Sequence, residues 1–301
     1  MNVWKEQLAA RLSPATVLRR DELLARRTTL RVGGPADVYV EPASEEELAV
    51  VLQFCAEHAV PFMILGRGSN LLIKDGGIRG VVICLAHPHF NRLEITGYRL
   101  HCGAGAKLKL VAVAARRSGL TGLEFLEGIP GSVGGALRMN AGAMGGWMFD
   151  VVESIHFMDY SGEVHNRNAG EVDVEYRSCA LFKHHIALGA VLKGHPASRD
   201  VVKQRMDTFN KKRWDTQPTA PSAGCVFKNP GTIPAGKLID ELGLKGTRVG
   251  GAMVSGEHGN FIINKGTATA KDVLELIEVI RRRAKVERGI ELETEVKIVG
   301  E

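Results

Sequence analysis

The chain is poor in features that would make several common readings easy. Its five cysteines, Cys55, Cys84, Cys102, Cys179 and Cys225, are odd in number and far apart, with no C-x-x-C pair. That excludes a disulfide framework and a cysteine zinc site, and it points to a reducing compartment. Aromatic residues make up only 6% of the sequence and do not alternate with basic ones. A platform that stacks single-stranded nucleic acid needs both features, so no nucleic-acid partner is expected. No run is long and apolar enough to span a bilayer. The opening MNVWKEQLAARL carries charges where a signal peptide would need an apolar centre, so a cytoplasmic protein without membrane insertion is expected. H-E-x-x-H, G-x-S-x-G and EF-hand patterns are absent. The close histidine pairs, His87/His89 and His184/His185, have no cysteine or carboxylate beside them in sequence and read as surface residues, so no metal is expected.

What remains is the composition of an ordinary soluble globular protein. Of 301 residues, 45% are hydrophobic and 24% charged, with a formal net charge of +5. That length predicts two or three domains. The mild basic excess suits an anionic small molecule.

Glycine is concentrated. Between Gly128 and Gly146 the chain reads GIPGSVGGALRMNAGAMGG, seven glycines in nineteen residues. Without a Cβ, a glycine lets backbone N–H groups approach a ligand, and consecutive main-chain donors in a turn form a concave anion site. The alternative for this run is a tight or flexible loop. A second cluster, Gly66-Arg67-Gly68-Ser69-Asn70, follows the apolar run Phe62 to Leu65. It is a phosphate loop or a plain turn, and it is neither a Walker A loop nor a G-x-G-x-x-G fingerprint. Gly103-Ala104-Gly105 comes nearer the fingerprint, but Leu108 stands where the third glycine belongs. Two glycine clusters favour one ligand with two phosphates.

The periodicity is that of an α+β chain. Residues 44–58 form a helix with Ser44 as N-cap and Glu47 in the capping-box position. Helices are also predicted over 107–117, 200–213, 235–242 and 270–288. Thr269 and Asp272 cap the last of these and Gly289 stops it. Strands are predicted at Phe62–Leu65, Val81–Leu85, Leu93–Cys102, Ser154–Tyr160, Ile186–Leu192, Asn260–Asn264 and Ile290–Val299. In the last, Ile290, Leu292, Thr294, Val296 and Ile298 share one face, and Glu291, Glu293 and Glu295 share the other.

PSAGCVFKNP, Pro221 to Pro230, places Cys225 in a turn with Lys228 close behind. A thiol near an ammonium can act as nucleophile or proton donor, or Cys225 is an inert core residue. Arg177, in Tyr176-Arg177-Ser178, is a fork for a carboxylate or half of a surface ion pair. Glu293 and Glu295 stand equal by periodicity.

GRGSN, GIPGSVGGAL-x-MNAGA, EYRSC, PSAGCVFKNP, GNFIIN and LETEV occur in this order, preceded by LRVGGPAD at Leu30 to Asp37. Together they resemble the UDP-N-acetylenolpyruvoylglucosamine reductases over the chain from about residue 28 to its end. The resemblance implies an α+β fold: a two-part FAD-binding unit of the vanillyl-alcohol-oxidase type, residues 1–75 and 76–197, then a substrate-binding domain, 198–301. It implies non-covalent FAD, with its pyrophosphate on the backbone of Gly66, Arg67, Gly68, Ser69 and Asn70 and of Gly128, Ile129, Pro130, Gly131, Ser132, Gly134 and Gly135. NADPH would be the hydride donor. The product would be UDP-N-acetylmuramate, a peptidoglycan precursor, formed by hydride addition to C3 of the enolpyruvyl ether and a proton at C2. Arg177 resembles the arginine that grips the substrate carboxylate, and Glu295 the catalytic glutamate. Cys225 stands where many relatives carry a proton-donating serine. Lys228, Asn229 and Asn260 resemble substrate contacts. The chain looks like the shorter type, without a tyrosine-bearing loop over the substrate, and a monomer is expected. An FAD-dependent oxidase or dehydrogenase of a small alcohol on the same fold is the alternative.

Overall fold

The structure, a computed structural model, describes residues 3–301. The chain folds into two compact units, and neither is continuous in sequence. The first takes the stretch ending at Arg20, Val38–Arg67 and Gly80–Lys212; the second takes Asp21–Asp37, Gly68–Arg79 and Arg213–Glu301. The sequence suggested successive domains. It contains no local signal that residues 21–37 and 68–79 belong with the C-terminal third.

The first unit is built on a five-stranded sheet in the order Val164–Asn168, Val152–Asp159, His185–Lys193, Arg99–Gly103, Leu93–Thr96, with every neighbour antiparallel. The single strand expected over Leu93–Cys102 is a hairpin. Gly97 (φ 60°) supplies a positive φ at the first turn position, so Thr96 pairs with Arg99 across two residues. A parallel pair runs Phe62–Leu65 beside Val81–Cys84. Helix Glu45–Glu57 starts at Ser44, whose hydroxyl accepts from the Glu47 N–H at 3.3 Å. The Glu47 carboxylate does not return to the cap; it accepts from the Ser13 N–H at 2.8 Å. Helix Leu108–Arg117 buries Leu108, Val111, Ala112 and Ala115, the i, i+3, i+4, i+7 stripe of one helix face. The core includes Phe54, Phe90 and Phe157, all essentially without exposure.

The second unit carries an antiparallel sheet in the order Ser222–Cys225, Phe261–Asn264, Ala252–Val254, Arg248–Val249. Helix Ala270–Arg288 begins at a full capping box. Thr269 Oγ1 accepts from the Asp272 N–H at 3.1 Å, and the Asp272 carboxylate accepts from the Thr269 N–H at 3.0 Å. Gly289 ends it in the left-handed conformation (φ 64°). Val273, Leu276, Ile277 and Ile280 bury one face in a core shared with Leu238, Ile239 and Phe227.

The closing strand is shorter than its periodicity suggested. Only Lys297–Val299 forms a ladder, parallel to Leu71–Ile73. Residues 290–296 keep the alternation of burial, with Leu292 and Val296 inside and Glu291 and Glu293 outside. Their backbone bonds are irregular, however. Lys228 N–H donates to the Glu293 carbonyl, and the N–H groups of Glu295 and Val296 both turn to the Val226 carbonyl. Two donors on one acceptor break the two-residue repeat of a ladder.

Candidate active site

In the first unit, strand Phe62–Leu65 delivers the chain to Gly66. A Cβ there would lie 3.3 Å from Ser132 Oγ and 4.0 Å from Gly135 Cα, so the two glycine clusters meet at Ser132. The glycines of the long run divide by what surrounds them. Three are packing residues: a Cβ on Gly134 would sit 3.0 Å from Ala104 Cβ, on Gly142 2.4 Å from the Trp147 ring, and on Gly146 3.0 Å from the Phe125 ring. Gly128 has nothing within 4 Å of that position, while Gly131 and Gly135 meet only ordinary van der Waals contacts. Of these three, only Gly128 faces open space at that position. Four N–H groups of the loop are already used: Ile129 donates to Leu126 O, Gly131 to Ile129 O, Val133 to Ala106 O and Gly134 to Ala104 O. Ser132 and Gly135 thus mark the part of the run that remains shaped for a ligand.

Arg177 stands on a two-residue turn, Tyr176-Arg177, between strands Val174–Glu175 and Ser178–Cys179, and takes a positive φ of 57°. Its guanidinium lies 5.8 Å from the Trp147 ring centre and 5.5 Å from that of Tyr176, and the two rings meet edge to face. Its Nη1 is 3.5 Å from the Gly142 carbonyl. Asn140 braces both sides of this cluster, donating to Glu175 O at 3.4 Å and accepting from the Phe149 N–H at 3.1 Å. Trp147 and Asn140 were not singled out from the sequence. The available signal was Asn140 itself, a left-handed residue (φ 37°) closing helix Val133–Met139.

In the second unit Cys225 is not in a turn. It is the last residue of strand Ser222–Cys225 and pairs with Phe261. Gly224 (φ 77°) absorbs a bulge between Ser222 and Cys225. The Lys228 ammonium is 2.8 Å from Glu293 Oε2. That ion pair holds the exposed Glu293 carboxyl below the usual range. The two glutamates are thereby told apart. Glu293 faces outward on Lys228, whereas Glu295 is partly buried, with its N–H bonded to Val226 O at 2.8 Å and its carbonyl accepting from Asn70 Nδ2 at 3.3 Å.

The segment after Cys225 is fixed closely. Val226 N–H donates to Asn260 O at 2.8 Å. Phe227 N–H donates to Asn260 Oδ1 at 2.9 Å, and Asn260 Nδ2 donates to Phe227 O at 2.8 Å. Asn229 Oδ1 accepts from the Ala235 N–H at 3.0 Å, capping helix Ala235–Glu241. The carboxamide of Asn260 and the carbonyl of Asn229 therefore serve the backbone. Gly68 (φ 59°) is a packing glycine, since a Cβ would meet Arg27 O at 2.7 Å and Thr28 Cα at 2.8 Å. Cys225, Glu295, Lys228, Asn229, Asn260 and Asn70 lie on one bonded framework in this unit. Arg177, Gly66, Arg67 and Gly128–Gly135 belong to the first.

Residues 217–299 match the C-terminal domain of UDP-N-acetylenolpyruvoylglucosamine reductase, and residues 36–168 match an FAD binding domain. Curated UDP-N-acetylenolpyruvoylglucosamine reductases from Clostridium novyi (strain NT) and Clostridioides difficile (strain 630) are 44% and 45% identical over 286 residues. Each alignment covers 94% of this chain, with 92% and 94% of the relative. The chain belongs to the UDP-N-acetylenolpyruvoylglucosamine reductase family. The crystal structure of the reductase from Thermus caldophilus superposes with a TM-score of 0.84 at 41% identity, over 94% of this chain and all of that one. A variant of Phl p 4, a glucose oxidase, shares the fold at a TM-score of 0.51 and 13% identity, over 96% of this chain and 63% of that one.

Membership makes the chain an oxidoreductase with FAD as cofactor. The first unit fits that group. Gly66 and Gly135 approach each other around the Ser132 hydroxyl with no Cβ between them, the bare-backbone surface that a pyrophosphate requires. Among the described residues, no helix is long and apolar enough to cross a membrane.

Proposed function

We propose that the chain reduces the enolpyruvyl ether of UDP-N-acetylglucosamine to UDP-N-acetylmuramate with NADPH, as a cytoplasmic monomer serving peptidoglycan precursor synthesis. The chemistry that non-covalently bound FAD supplies is hydride transfer, from NADPH in one half-reaction and to C3 of the enolpyruvyl group in the other. The backbone of Gly66–Asn70 and of Gly128–Gly135 would hold its pyrophosphate.

The observation that carries this reading is the bond from the Glu295 N–H to the Val226 carbonyl at 2.8 Å. It ties Glu295 to the residue next to Cys225, so two groups able to hold a proton share one rigid framework. Hydride addition at C3 drives the double-bond electrons toward C2 and the carboxylate. Arg177 grips that carboxylate. Its fork offers two parallel N–H donors where charge develops, which favours the transition state over the ground state. The Cys225 thiol gives its proton to C2 and is restored from solvent. A thiol suits this task, because its ordinary pKa of about 8.5 is far nearer neutrality than an alcohol's. Glu295 is the second acid beside the same segment. Lys228 and the amide of Asn229 recognise the sugar nucleotide; Lys228 is exposed and can exchange Glu293 for a phosphate.

An anaerobic two-step titration tests the proposal. NADPH should bleach the flavin, and the UDP-enolpyruvyl sugar should restore the oxidised spectrum. A flavin that stays bleached after the sugar is added refutes the substrate. Cys225→Ala should slow the second step by about 10²–10⁴, the usual worth of a general acid, while Cys225→Ser retains much of it. Reduction by NADPH should be unchanged in both variants.

A further inference from the structure

The loop Gly68–Asn70 is bonded to the segment that carries Glu295 and, through Thr29, to the strand that ends in Cys225. We propose that Asn70 is a positioning residue that fixes Glu295, so that the phosphate loop itself sets the geometry of the proton-transfer site. The proposal rests on the reading of Glu295 as a catalytic carboxyl group.

Glu295 needs such a device. It lies in the part of the closing segment that forms no ladder, so the repeat of a sheet does not hold it. Its peptide groups are tied individually instead, the N–H to Val226 O at 2.8 Å and the carbonyl to Asn70 Nδ2 at 3.3 Å. The Asn70 carbonyl accepts from the Lys297 N–H at 3.0 Å, two residues on, and this bond begins the parallel pair of Lys297–Val299 with Leu71–Ile73. Asn70 thus grips residues 295 and 297 with its side chain and its main chain together.

The loop is itself a firm base. Gly68 is locked in the left-handed conformation against Arg27 and Thr28. Its carbonyl accepts from the Thr29 N–H at 3.3 Å. The Thr29 hydroxyl donates at 2.7 Å to the carbonyl of Ser222, on the strand that ends in Cys225. One loop therefore braces the thiol strand through Thr29 and the glutamate segment through Asn70. A backbone bond that holds one residue in a conformation its segment does not impose has a catalytic effect, because small misplacements of a reacting group cost large factors in rate.

The test compares wild type with Asn70→Ala and Asn70→Asp. Asp has the size of Asn and keeps an acceptor but loses the donor, and it carries the test should the alanine variant not fold. Two kinds of readout are needed. In the apoprotein, amide hydrogen exchange should show the Glu295 N–H losing protection in both variants while helix Ala270–Arg288 keeps its own. With FAD at saturation, reoxidation by the UDP-enolpyruvyl sugar should slow by about 10²-fold, the scale expected for a misplaced catalytic group, and by about tenfold or more beyond any slowing of flavin reduction by NADPH. Reoxidation that returns to the wild-type rate once FAD is saturating would show that Asn70 serves the cofactor alone and would overturn the proposal. So would an equal fall in both half-reactions, or unchanged protection at Glu295. If the wild-type flavin is not reoxidised by the sugar nucleotide, the proposed function fails instead, and the exchange measurement still decides whether Asn70 holds Glu295.

Discussion

Asn260 holds both backbone groups of Phe227, accepting from its N–H at 2.9 Å and donating to its carbonyl at 2.8 Å. Both residues are buried, with exposures of 3% and 1%. Asn260→Ala would leave that N–H and carbonyl buried without their partner. Each such group costs roughly 1–3 kcal/mol, so the expected loss is about 2–6 kcal/mol. Urea denaturation measures it. A loss below about 1 kcal/mol would mean that water replaces the carboxamide easily.

The division of the glycines predicts opposite behaviour for two alanine substitutions. Gly142→Ala drives a Cβ to 2.4 Å from the Trp147 ring and should destabilise the apoprotein by about 1–3 kcal/mol. Gly135→Ala lies in helix Val133–Met139, 3.5 Å from Ser132 Oγ, and should leave the apoprotein unchanged or more stable by up to about 1 kcal/mol. It should nevertheless bind FAD more weakly, because the methyl enters the cradle. Thermal melts with and without FAD separate the two effects. Undiminished FAD affinity in Gly135→Ala would remove Gly135 from the site.

Arg177→Lys keeps the charge and loses the fork. Lysine has no planar pair of donors for a carboxylate and no flat face for Trp147 and Tyr176. Reoxidation of the flavin by the sugar nucleotide should fall by about 10²–10³, with its reduction by NADPH nearly unchanged. Stopped-flow absorbance of each half-reaction provides the comparison. Equal slowing of both steps would place Arg177 outside substrate binding.

Two histidines should tilt the pH dependence of stability in opposite directions. The His258 pKa is lowered, first by burial and then by Lys245. Its Nδ1 accepts from the Asn260 N–H at 3.1 Å, a role open only to the neutral ring. A depressed folded pKa contributes stability that is present above the unfolded value of about 6.5 and is lost as pH falls through the folded one. The His156 pKa is raised, chiefly by its bond to Glu45. Its contribution is present below about 6.5 and is lost as pH rises through the folded value. Denaturation midpoints against pH should lose their acid-side slope in His258→Leu and gain stability on the alkaline side relative to the acid side in His156→Leu. The reverse pattern would contradict both assignments.

Elements that carry their own punctuation could be read from the sequence. Helix Ala270–Arg288 was legible to the residue, because Thr269, Asp272 and Gly289 fix its ends through local bonds. Phe62–Leu65 was legible as a short apolar run between Pro61 and Gly66. Failures came where distant partners decide the outcome. Gly97 turns a chain that otherwise reads as one strand. The closing segment has the right alternation, yet Val226 takes two of its N–H groups and spoils the ladder. Glu293 and Glu295 are equivalent by periodicity; the fold separates them by pairing the first with Lys228 and partly burying the second beside Val226 and Asn70. The glycine run could be read as a candidate anion site, but which of its glycines pack depends on Ala104, Phe125 and Trp147.

The discontinuous second unit bears on the order of folding during synthesis. All residues of the first unit have been made once Lys212 is added, but Asp21–Asp37 and Gly68–Arg79 must wait for residues 213–301. In particular, Leu71–Ile73 has no parallel partner until Lys297–Val299 emerges. The early segments therefore spend most of translation without the surfaces that cover them, a state in which apolar residues such as Leu30, Val32 and Leu72 are open to chaperones and proteases. Ribosome-stalled chains ending near residue 212 should show protease resistance in the first unit and cleavage within 21–37 and 68–79. Resistance in those two stretches would show that they are protected before the unit they belong to exists.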